Sequence, residues 1–381
     1  MHLAICIPSR NRLEALIECI ASAIRVITLS DLVHVKYSII VRQNSDDNEC
    51  YSNIQNSVEL LFGAPLPPRL LHIKTNLSPT YMHENCELLV SDAVHISATH
   101  ILMLPDRRLI TKALFSLLSC IDTDNPDVAV FDNQSYWLSS HHILKTRDVG
   151  TDPPRSHTSY DLASDLYHCR FDGLTPRLYN CLVSVNYFAA TKRYFGSYIS
   201  GPCPDISFQF RAFFLSRSSV LVTSLPVIVT NARHASRTVS NTGIPNLAST
   251  DSKNITEQRG IFGLHNTIVY VGCLSHICDY VSFSSAHIFC SVSSLLSSIL
   301  WEMTCPQTPA LFHSRLETIL LSLSDNTNPL FAKISISERK EWQTRFSSIT
   351  NTPAEFQHQP LQEDLEPLTM NSFQALCVIE L

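Results

Sequence analysis

Glycine is scarce in this chain, in which only 9 of 381 residues are glycine. Neither of the two glycine-rich phosphate-binding patterns, GxGxxG and GxxxxGK followed by Ser or Thr, occurs in the sequence. Both patterns use glycine because the backbone must approach the phosphate closely. A loop that cradles phosphate with its backbone N–H groups is therefore not the expected mode of nucleotide binding.

Charged residues and long apolar runs are also few. Charged residues make up 16% of the chain and its net charge is −6, whereas a general nucleic-acid binder would show a basic surface. The nearest approach to a membrane-spanning run of about 18 apolar residues, Val281–Met303, is interrupted by Ser, His and Cys. We therefore expect no nucleic-acid partner and no integral membrane segment.

The 13 cysteines form no paired CxxC pattern, and the spacing of Cys273 and Cys278 is weak evidence for a metal. We expect buried, reduced thiols in a cytosolic protein. The N-terminal sequence MHLAICIPSR lacks the basic and long apolar regions of a signal peptide, so it predicts a first strand. The expected localisation is the cytoplasm, with contact at the inner membrane surface left open.

Strands and helices alternate over the first 110 residues. Apolar runs at Leu3–Ile7, Val35–Val41, Leu70–Ile73 and Ile101–Leu104 predict buried strands. Such alternation predicts an α/β protein with a mainly parallel sheet and helices on both sides. The predicted helices are one from Leu13 to Ile24 with Asn11 as its N-cap, and those over Asn48–Leu61, Ser78–Val94 and Thr111–Cys120.

The rest of the chain divides into two parts. Val128–Phe131 and Leu221–Val229 predict strands, and Asp205–Phe214 predicts a helix that follows a proline-rich turn. Residues 260–345 predict mainly helix, with Ser337 and Glu338 opening the last one, and Pro353–Pro367 is a polar tail. We therefore expect an α/β domain over residues 1–245 and a helical C-terminal region with a polar tail over residues 246–381.

Polar side chains follow three of the predicted strands, at Pro8–Arg12, Gln43–Asp47 and Pro105–Arg108. The carboxyl ends of parallel strands meet at one edge of a sheet, which is where open α/β sheets bind ligands. Amides and carboxylates suit a base and a ribose, whereas arginines suit a diphosphate. The three segments therefore predict a nucleotide site.

Several segments resemble family 2 glycosyltransferases, in the same order along the chain and over about residues 1–245. They are the strand and loop Ala4–Arg12, the strand and loop Ser38–Asp47, the helix Leu77–Ala93, the segment Ile101–Arg108 at the position of the Asp-x-Asp element, Gly201–Asp205, and the loop Ser240–Gly243. The helix, with Met82, Asn85 and Glu87, is similar to one found in a subgroup that acts on bacterial surface polysaccharides.

The resemblance implies the GT-A fold, a Rossmann-like, mixed but mainly parallel sheet flanked by helices. It also implies transfer of a hexose-type sugar, with inversion, from a nucleotide-sugar donor to a glycan or lipid-linked acceptor in polysaccharide biosynthesis. A UDP-sugar is the first choice of donor. The donor-binding residues that the resemblance implies are Pro8, Ser9, Arg10, Asn11, Arg12, Gln43, Asn44, Asp47, Asn85, Asp106, Arg107 and Arg108.

The resemblance assigns the catalytic base to Asp205. An attacking hydroxyl loses its proton as it attacks, so one carboxylate must lie within hydrogen-bond reach. The competing interpretation is that Asp205 is a capping residue that accepts backbone N–H bonds. By analogy, Arg177, Tyr179 and Asn180 are expected on the acceptor side.

Two departures from the family pattern leave questions open. The Asp-x-Asp element aligns with Pro105, Asp106 and Arg107, so only the middle acid is present. Mg²⁺ or Mn²⁺ can be held by Asp106 together with donor phosphates, and His234 lies where some relatives have a further metal ligand. Alternatively, Arg107 or Arg108 replaces the metal and transfer needs none.

The second departure is Gln43, which stands where relatives often have an Asp that contacts the base. Uridine, guanosine and thymidine donors all remain open. The main alternative function is a non-catalytic GT-A protein that binds a nucleotide or a glycan as an assembly partner. An Asp205 that faces the donor site favours the enzyme. A nucleotidyltransferase is less favoured because the glycine-rich N-terminal loop of those enzymes is missing.

Overall fold

The computed structural model is built around one fully buried strand, β1 (His2–Ser9). Its two neighbours, β2 (Lys36–Gln43) and β4 (His100–Met103), run parallel to it, and β3 (Leu71–Thr75) runs parallel to β2. A parallel strand is buried in this way when helices cover both faces of its sheet. The predicted parallel half of the sheet is confirmed.

The other half of the sheet is mixed. β10 (Cys181–Ser184) is antiparallel both to β4 and to β6 (Val128–Val130). β11 (Val220–Val222) is parallel to β6 and antiparallel to β9 (Arg155–His157). The eight strands have the order β3-β2-β1-β4-β10-β6-β11-β9. This order confirms the predicted mixed, mainly parallel sheet, in which β1 to β4 form the parallel part.

A second sheet has four strands in the order β5-β12-β7-β8. They are β5 (Arg108–Ile110), β12 (Ile228–Asn231), β7 (Tyr136–Leu138) and β8 (Ile143–Lys145). The prediction of one strand over Leu221–Val229 is wrong, because β11 and β12 belong to different sheets. The chain between them contains Pro226, which has no N–H for a strand ladder and whose carbonyl accepts a hydrogen bond from Thr111 Oγ1 at 2.6 Å.

Helices flank the main sheet. They are α1 (Leu13–Thr28), α2 (Ile54–Phe62), α3 (Met82–His95), α4 (Ala113–Asp124), α5 (Val185–Phe195) and α6 (Pro204–Leu215), with a 3-10 helix over Leu178–Asn180. Neither β10 nor α5 was predicted. The N-cap prediction for α1 is also wrong: Arg12, not Asn11, occupies that position, and no side chain of the described residues caps it.

Three helices lie in the C-terminal region: α7 (Val292–Met303), α8 (Pro309–Ser324) and α9 (Ile336–Ser347). The last helix begins before the predicted Ser337, with Ser335 as N-cap and a capping box formed with Glu338. Among the described helices, none is both long and apolar enough to cross a bilayer. The predicted boundary near residue 245 and the tail Pro353–Pro367 lie outside the described residues.

The described residues are 1–10, 12–30, 32–44, 54–63, 65–67, 69–76, 80, 82–132, 136–138, 143–145, 154–157, 175–199, 204–215, 220–231, 292–303, 309–325 and 334–349.

Side chains alternate between the two faces of β1 and β2, which places the polar residues at the ends of these strands. Leu3, Ile5 and Ile7 pack in a core with α1, α2 and α4, whereas Ala4 and Cys6 pack with α3, α5 and α6. Residues two apart in a strand share a face. Ser9 and its register partner Gln43 therefore lie on the α1 face, whereas Arg42 lies on the α3 face.

An ion-pair cluster joins α3 to the parallel strands. Arg42 on β2 donates to both carboxylate oxygens of Asp92 on α3, from Nε at 2.7 Å and from Nη2 at 3.2 Å. Lys74 Nζ on β3 donates to the same carboxylate at 2.7 Å. Burial alone would raise the pKa of Asp92, but the hydrogen bonds and charges of Arg42 and Lys74 outweigh it and the pKa is lowered. The buried carboxylate is thus compensated by two cations.

We expect Asp92→Asn to lower the free energy of unfolding by about 3 kcal/mol, because it leaves the partly buried Arg42 without its counter-charge. Urea unfolding followed by circular dichroism measures this change. The wild-type advantage should be present at neutral pH and disappear as the pH falls through the lowered pKa of Asp92, since protonation removes the same charge. Glu341→Gln, which breaks an exposed pair with Arg345, is the control and should cost less than about 0.5 kcal/mol. Equal losses in the two variants would contradict the assignment.

Candidate functional site

Asp106 lies at the carboxyl edge of the main sheet, just after β4, and its side chain is only 3% exposed. Its Oδ2 accepts a hydrogen bond from Ser9 Oγ at 2.9 Å. Its Oδ1 accepts one from Arg12 Nη1 at 3.1 Å. The structure therefore brings together three of the predicted donor-binding residues from two segments. Pro8 is buried in β1 and Arg10 follows at the end of that strand.

Arg107 and Arg108 follow Asp106 in the chain and lie near different charged groups. Burial and the neighbouring charge of Arg12 lower the pKa of Arg107, while Asp106 opposes the change. Arg108 was predicted to follow a strand end but itself begins β5, where its Nη1 donates to Thr230 Oγ1 on β12. Burial, with the charge of Arg107, lowers the pKa of Arg108 to about 10, against the opposing charges of Asp205 and Asp132.

Asp205 is the second residue of α6 and lies beside the 3-10 helix. Its Oδ1 accepts a hydrogen bond from the backbone N–H of Tyr179 at 3.3 Å. Burial raises the pKa of Asp205, and the charges of Arg177 and Arg108 and the N–H groups of Tyr179 and Leu178 only partly offset the rise. The carboxylate thus accepts backbone N–H bonds, as the capping interpretation requires, but from a neighbouring element.

Asn180 and Tyr179, which were predicted on the acceptor side, mainly stabilise the 3-10 helix and its contact with α3. Asn180 accepts from the backbone N–H of Arg177 at 2.7 Å and donates to the carbonyl of Thr175 at 3.0 Å. The Tyr179 hydroxyl lies 3.6 Å from Cys86 Sγ on α3. These contacts orient the N–H groups that point at Asp205.

Asn44 and Asn85 were predicted to contact the donor, but the structure uses both in a buried amide network. Asn76 Nδ2 donates to Asn44 Oδ1 at 3.3 Å and to Asn85 Oδ1 at 3.1 Å. Asn44 Oδ1 also accepts from the backbone N–H of Thr80 at 2.7 Å. Asn85 Nδ2 donates to the carbonyl of Arg42 at 3.4 Å. The network lies on the α3 side and fixes the end of β2.

Gln43 differs from these asparagines. It is 1% exposed, yet its Nε2 has no hydrogen-bond partner among the described residues. Its register partner is Ser9, which binds Asp106. A buried donor without an acceptor costs about 1–3 kcal/mol. Gln43 Nε2 is such a donor, and it lies on the α1 face.

Sequence reasoning missed Asp132 and the polar end of β12. Asp132 is buried after β6, and its charge acts on Arg108. Asn231 donates to Glu18 Oε2 on α1 at 2.6 Å, and its backbone N–H donates to the carbonyl of Arg107 at 3.1 Å. The signal for Asp132 was present, because it directly follows the apolar run Val128–Phe131, as Asp106 follows Ile101–Leu104 after one proline. Strand β12 lacks this signal, because its apolar residues are followed by Thr230 and Asn231 and not by a carboxylate.

Three predicted site residues, Asn11, Asp47 and His234, lie outside the described residues. Within the described ranges, no group of three or more His, Cys, Asp or Glu side chains is arranged to hold a metal ion. The described cysteines are free thiols. Burial raises the pKa of Cys86 to about 12, so it stays a neutral thiol at neutral pH.

Comparisons with known proteins concern the fold. No family model matches the chain, and no curated protein matches it. Among solved structures, residues 1–349 of S. aureus TarS in complex with UDP-GlcNAc match with a TM-score of 0.52 and 12% identity, over 91% of this chain and 88% of that one. A second structure of S. aureus TarS 1–349 matches with a TM-score of 0.47 and 12% identity, over 91% of each chain. The first match, together with the observed sheet order, shows that this chain has the GT-A fold.

Proposed function

We propose that this protein is an inverting glycosyltransferase that moves a sugar from a nucleotide-sugar donor to a glycan or lipid-linked acceptor. The observation that carries the proposal is the proximity of two polar groups at one edge of the sheet. The Ser9–Arg12–Asp106 cluster continues through Arg107 to Arg108, whose charge acts on Asp205. An anion-binding group thus adjoins a carboxylate of raised pKa, which is the pairing that glycosyl transfer needs.

In this proposal Asp205 is the catalytic base. The acceptor oxygen bonds to the anomeric carbon, the bond from that carbon to the diphosphate oxygen breaks, and the acceptor proton moves to Asp205. Attack opposite to the leaving group inverts the anomeric carbon. Burial supports this role, because a carboxylate whose pKa is raised takes up a proton more readily than an ordinary Asp.

The donor end is proposed to lie along β1 and β2. The UDP-GlcNAc held by S. aureus TarS, which has the same fold, supports a UDP-sugar as the first donor to test. Gln43 would donate from Nε2 to a base carbonyl, which uracil, thymine and guanine all have. Pro8, Ser9 and Arg10 line the same edge. Polysaccharide assembly on the cytoplasmic side of a membrane is the proposed setting.

We expect Asp205→Asn to lower the rate of sugar transfer by about 10²–10⁴-fold, because the amide cannot accept the acceptor proton. The measurement is UDP release from UDP-sugars, with water or a glycan as acceptor, together with UDP binding by calorimetry. UDP binding should be retained. Asp122→Asn, at an exposed carboxylate on α4 that pairs with His34, is the control and should be fully active. A fully active Asp205→Asn would refute the base assignment, and a wild-type protein that binds UDP without turnover would favour the binding-protein alternative.

The pH dependence of kcat/KM gives a separate prediction. Asp205 acts in its deprotonated form, so the rate should fall as the pH falls through its raised pKa. The acidic limb should therefore lie above the value of about 3.9 for an ordinary Asp. Arg177→Gln should move this limb to higher pH, because the charge of Arg177 lowers the pKa of Asp205. The same change at the exposed Arg193 on α5 should leave the limb in place. A limb that does not move in Arg177→Gln contradicts the assignment.

Substitution of Gln43 tests donor recognition separately from protein stability. We expect Gln43→Met to leave the thermal midpoint unchanged or higher, because it removes a buried donor that lacks an acceptor. UDP affinity should fall by about tenfold, since a hydrogen bond to the base is lost. Asn85→Met serves as the contrast, because it breaks the amide network and should lower the thermal midpoint. An unchanged UDP affinity in Gln43→Met would exclude the proposed contact.

A further inference from the structure

We propose that the guanidinium groups of Arg12 and Arg107 neutralise the donor diphosphate in place of a divalent cation, and that Asp106 positions Arg12 rather than binding a metal. This inference rests on the proposed glycosyl transfer and concerns the leaving-group side of the same site. Of the two alternatives that the sequence leaves open, a metal at Asp106 or its replacement by Arg107 or Arg108, we favour replacement, with Arg12 beside Arg107.

The hydrogen bonds of Asp106 favour this assignment. Both of its oxygens accept hydrogen bonds, one from the Ser9 hydroxyl at 2.9 Å and one from Arg12 at 3.1 Å. A divalent cation at this carboxylate would have to displace Arg12 and lie close to the like charge of Arg107. Mg²⁺ or Mn²⁺ held by one carboxylate would take its other ligands from donor phosphates and water, but both oxygens of this carboxylate already accept hydrogen bonds from described residues. In the part of the chain that the structure describes, Asp106 is therefore arranged to hold Arg12 rather than a metal ion.

The charges at this edge suit an anion instead. Arg12 pairs with Asp106 at 3.1 Å, and Arg107 lies close enough for the charges of Arg12 and Asp106 to act on it, so two cationic groups lie beside the end of β1. The side chain of Arg12 is 41% exposed and so is accessible to a ligand. Helix α1 begins at Leu13, directly after Arg12, and its N-terminal partial charge adds to the same field. Arginine binds phosphate oxygens through two parallel N–H donors.

Arg108 has a different role from its neighbour. It donates to Thr230 Oγ1 on β12 and lies near the carboxylates of Asp205 and Asp132. Its charge is thus compensated on the base side of the site. Arg108 therefore fixes the distance between Asp205 and the turn that contains Arg107. Arg12 and Arg107 contact the diphosphate.

The charge balance of the transfer explains what these arginines do. When the bond between the anomeric carbon and the diphosphate oxygen breaks, its electron pair stays on the nucleoside diphosphate, which gains one negative charge. The acceptor proton moves to Asp205, so no further reactant is needed. Positive groups placed in advance around the leaving oxygen lower the barrier without reorganisation.

UDP binding measured by calorimetry tests the inference, on full-length protein treated with excess EDTA and on the same protein with MnCl₂. We expect the same Kd in both conditions. Arg107→Gln and Arg12→Gln should each weaken UDP binding by about tenfold or more in both conditions, and Arg107→Lys should recover part of the loss because it keeps the charge. Arg345→Gln, at an exposed ion pair on α9, is the matched control and should bind as the wild type does.

Asp106→Asn separates a positioning role from a metal-ligand role. If Asp106 positions Arg12, the variant should weaken UDP binding by the same factor with EDTA and with MnCl₂. If UDP binds the wild type only with MnCl₂, or if Asp106→Asn removes a Mn²⁺-dependent gain, the inference is overturned while the proposed transfer stands. If UDP, GDP and dTDP all fail to bind in both conditions, the proposed function itself is overturned. Thermal unfolding of each variant shows whether it is folded.

Discussion

The carboxylate of Asp106 is the constraint on which the site depends. It ties the turn after β4 to the end of β1 through Ser9 and to the start of α1 through Arg12. A buried carboxylate needs such partners, because an uncompensated charge in the interior is very costly. The direction of Arg12 and the start of the Arg107–Arg108 segment follow from this one group. The polar edge of the sheet is therefore built around the buried carboxylate of Asp106 and its partners Ser9 and Arg12.

The second sheet extends this constraint to the proposed base. Arg108 begins β5, which pairs with β12, and the backbone N–H of Asn231 binds the carbonyl of Arg107 while its side chain binds Glu18 on α1. The turn that carries the two arginines is thus held from three sides, by β1, α1 and β12. Rigid support of this kind matters because a charged group stabilises a leaving oxygen only if it is already in place.

The sequence predicted most elements that carry an apolar run, the short strands β4 and β6 among them, but missed others such as β5 and β10. The parallel strands and α1 carry enough apolar positions for their period to be visible, and the breaks after them point to Ser9, Gln43 and Asp106. Strand β5 has three residues and begins with the charged Arg108, so it has no apolar run that would predict a strand. The roles of the polar residues also depend on which side chains they contact in the folded chain. Asn44 and Asn85 are joined through Asn76, which belongs to a third segment.

The two faces of the sheet explain why similar amides have different roles. On the α3 face, Asn44 and Asn85 find partners in the chain, and with the Arg42–Asp92 pair they stabilise the end of β2. On the α1 face, Gln43 is equally buried but its Nε2 has no acceptor among the described residues. Folding alone gives no reason to keep an amide there, because an apolar side chain of similar size would avoid the cost of burying an unpaired donor. A ligand acceptor on that face does give a reason, and Ser9, Asp106 and Arg12 lie on the same edge. In the proposed function, the Nε2 of Gln43 and the guanidinium groups of Arg12 and Arg107 would bind the two ends of one donor.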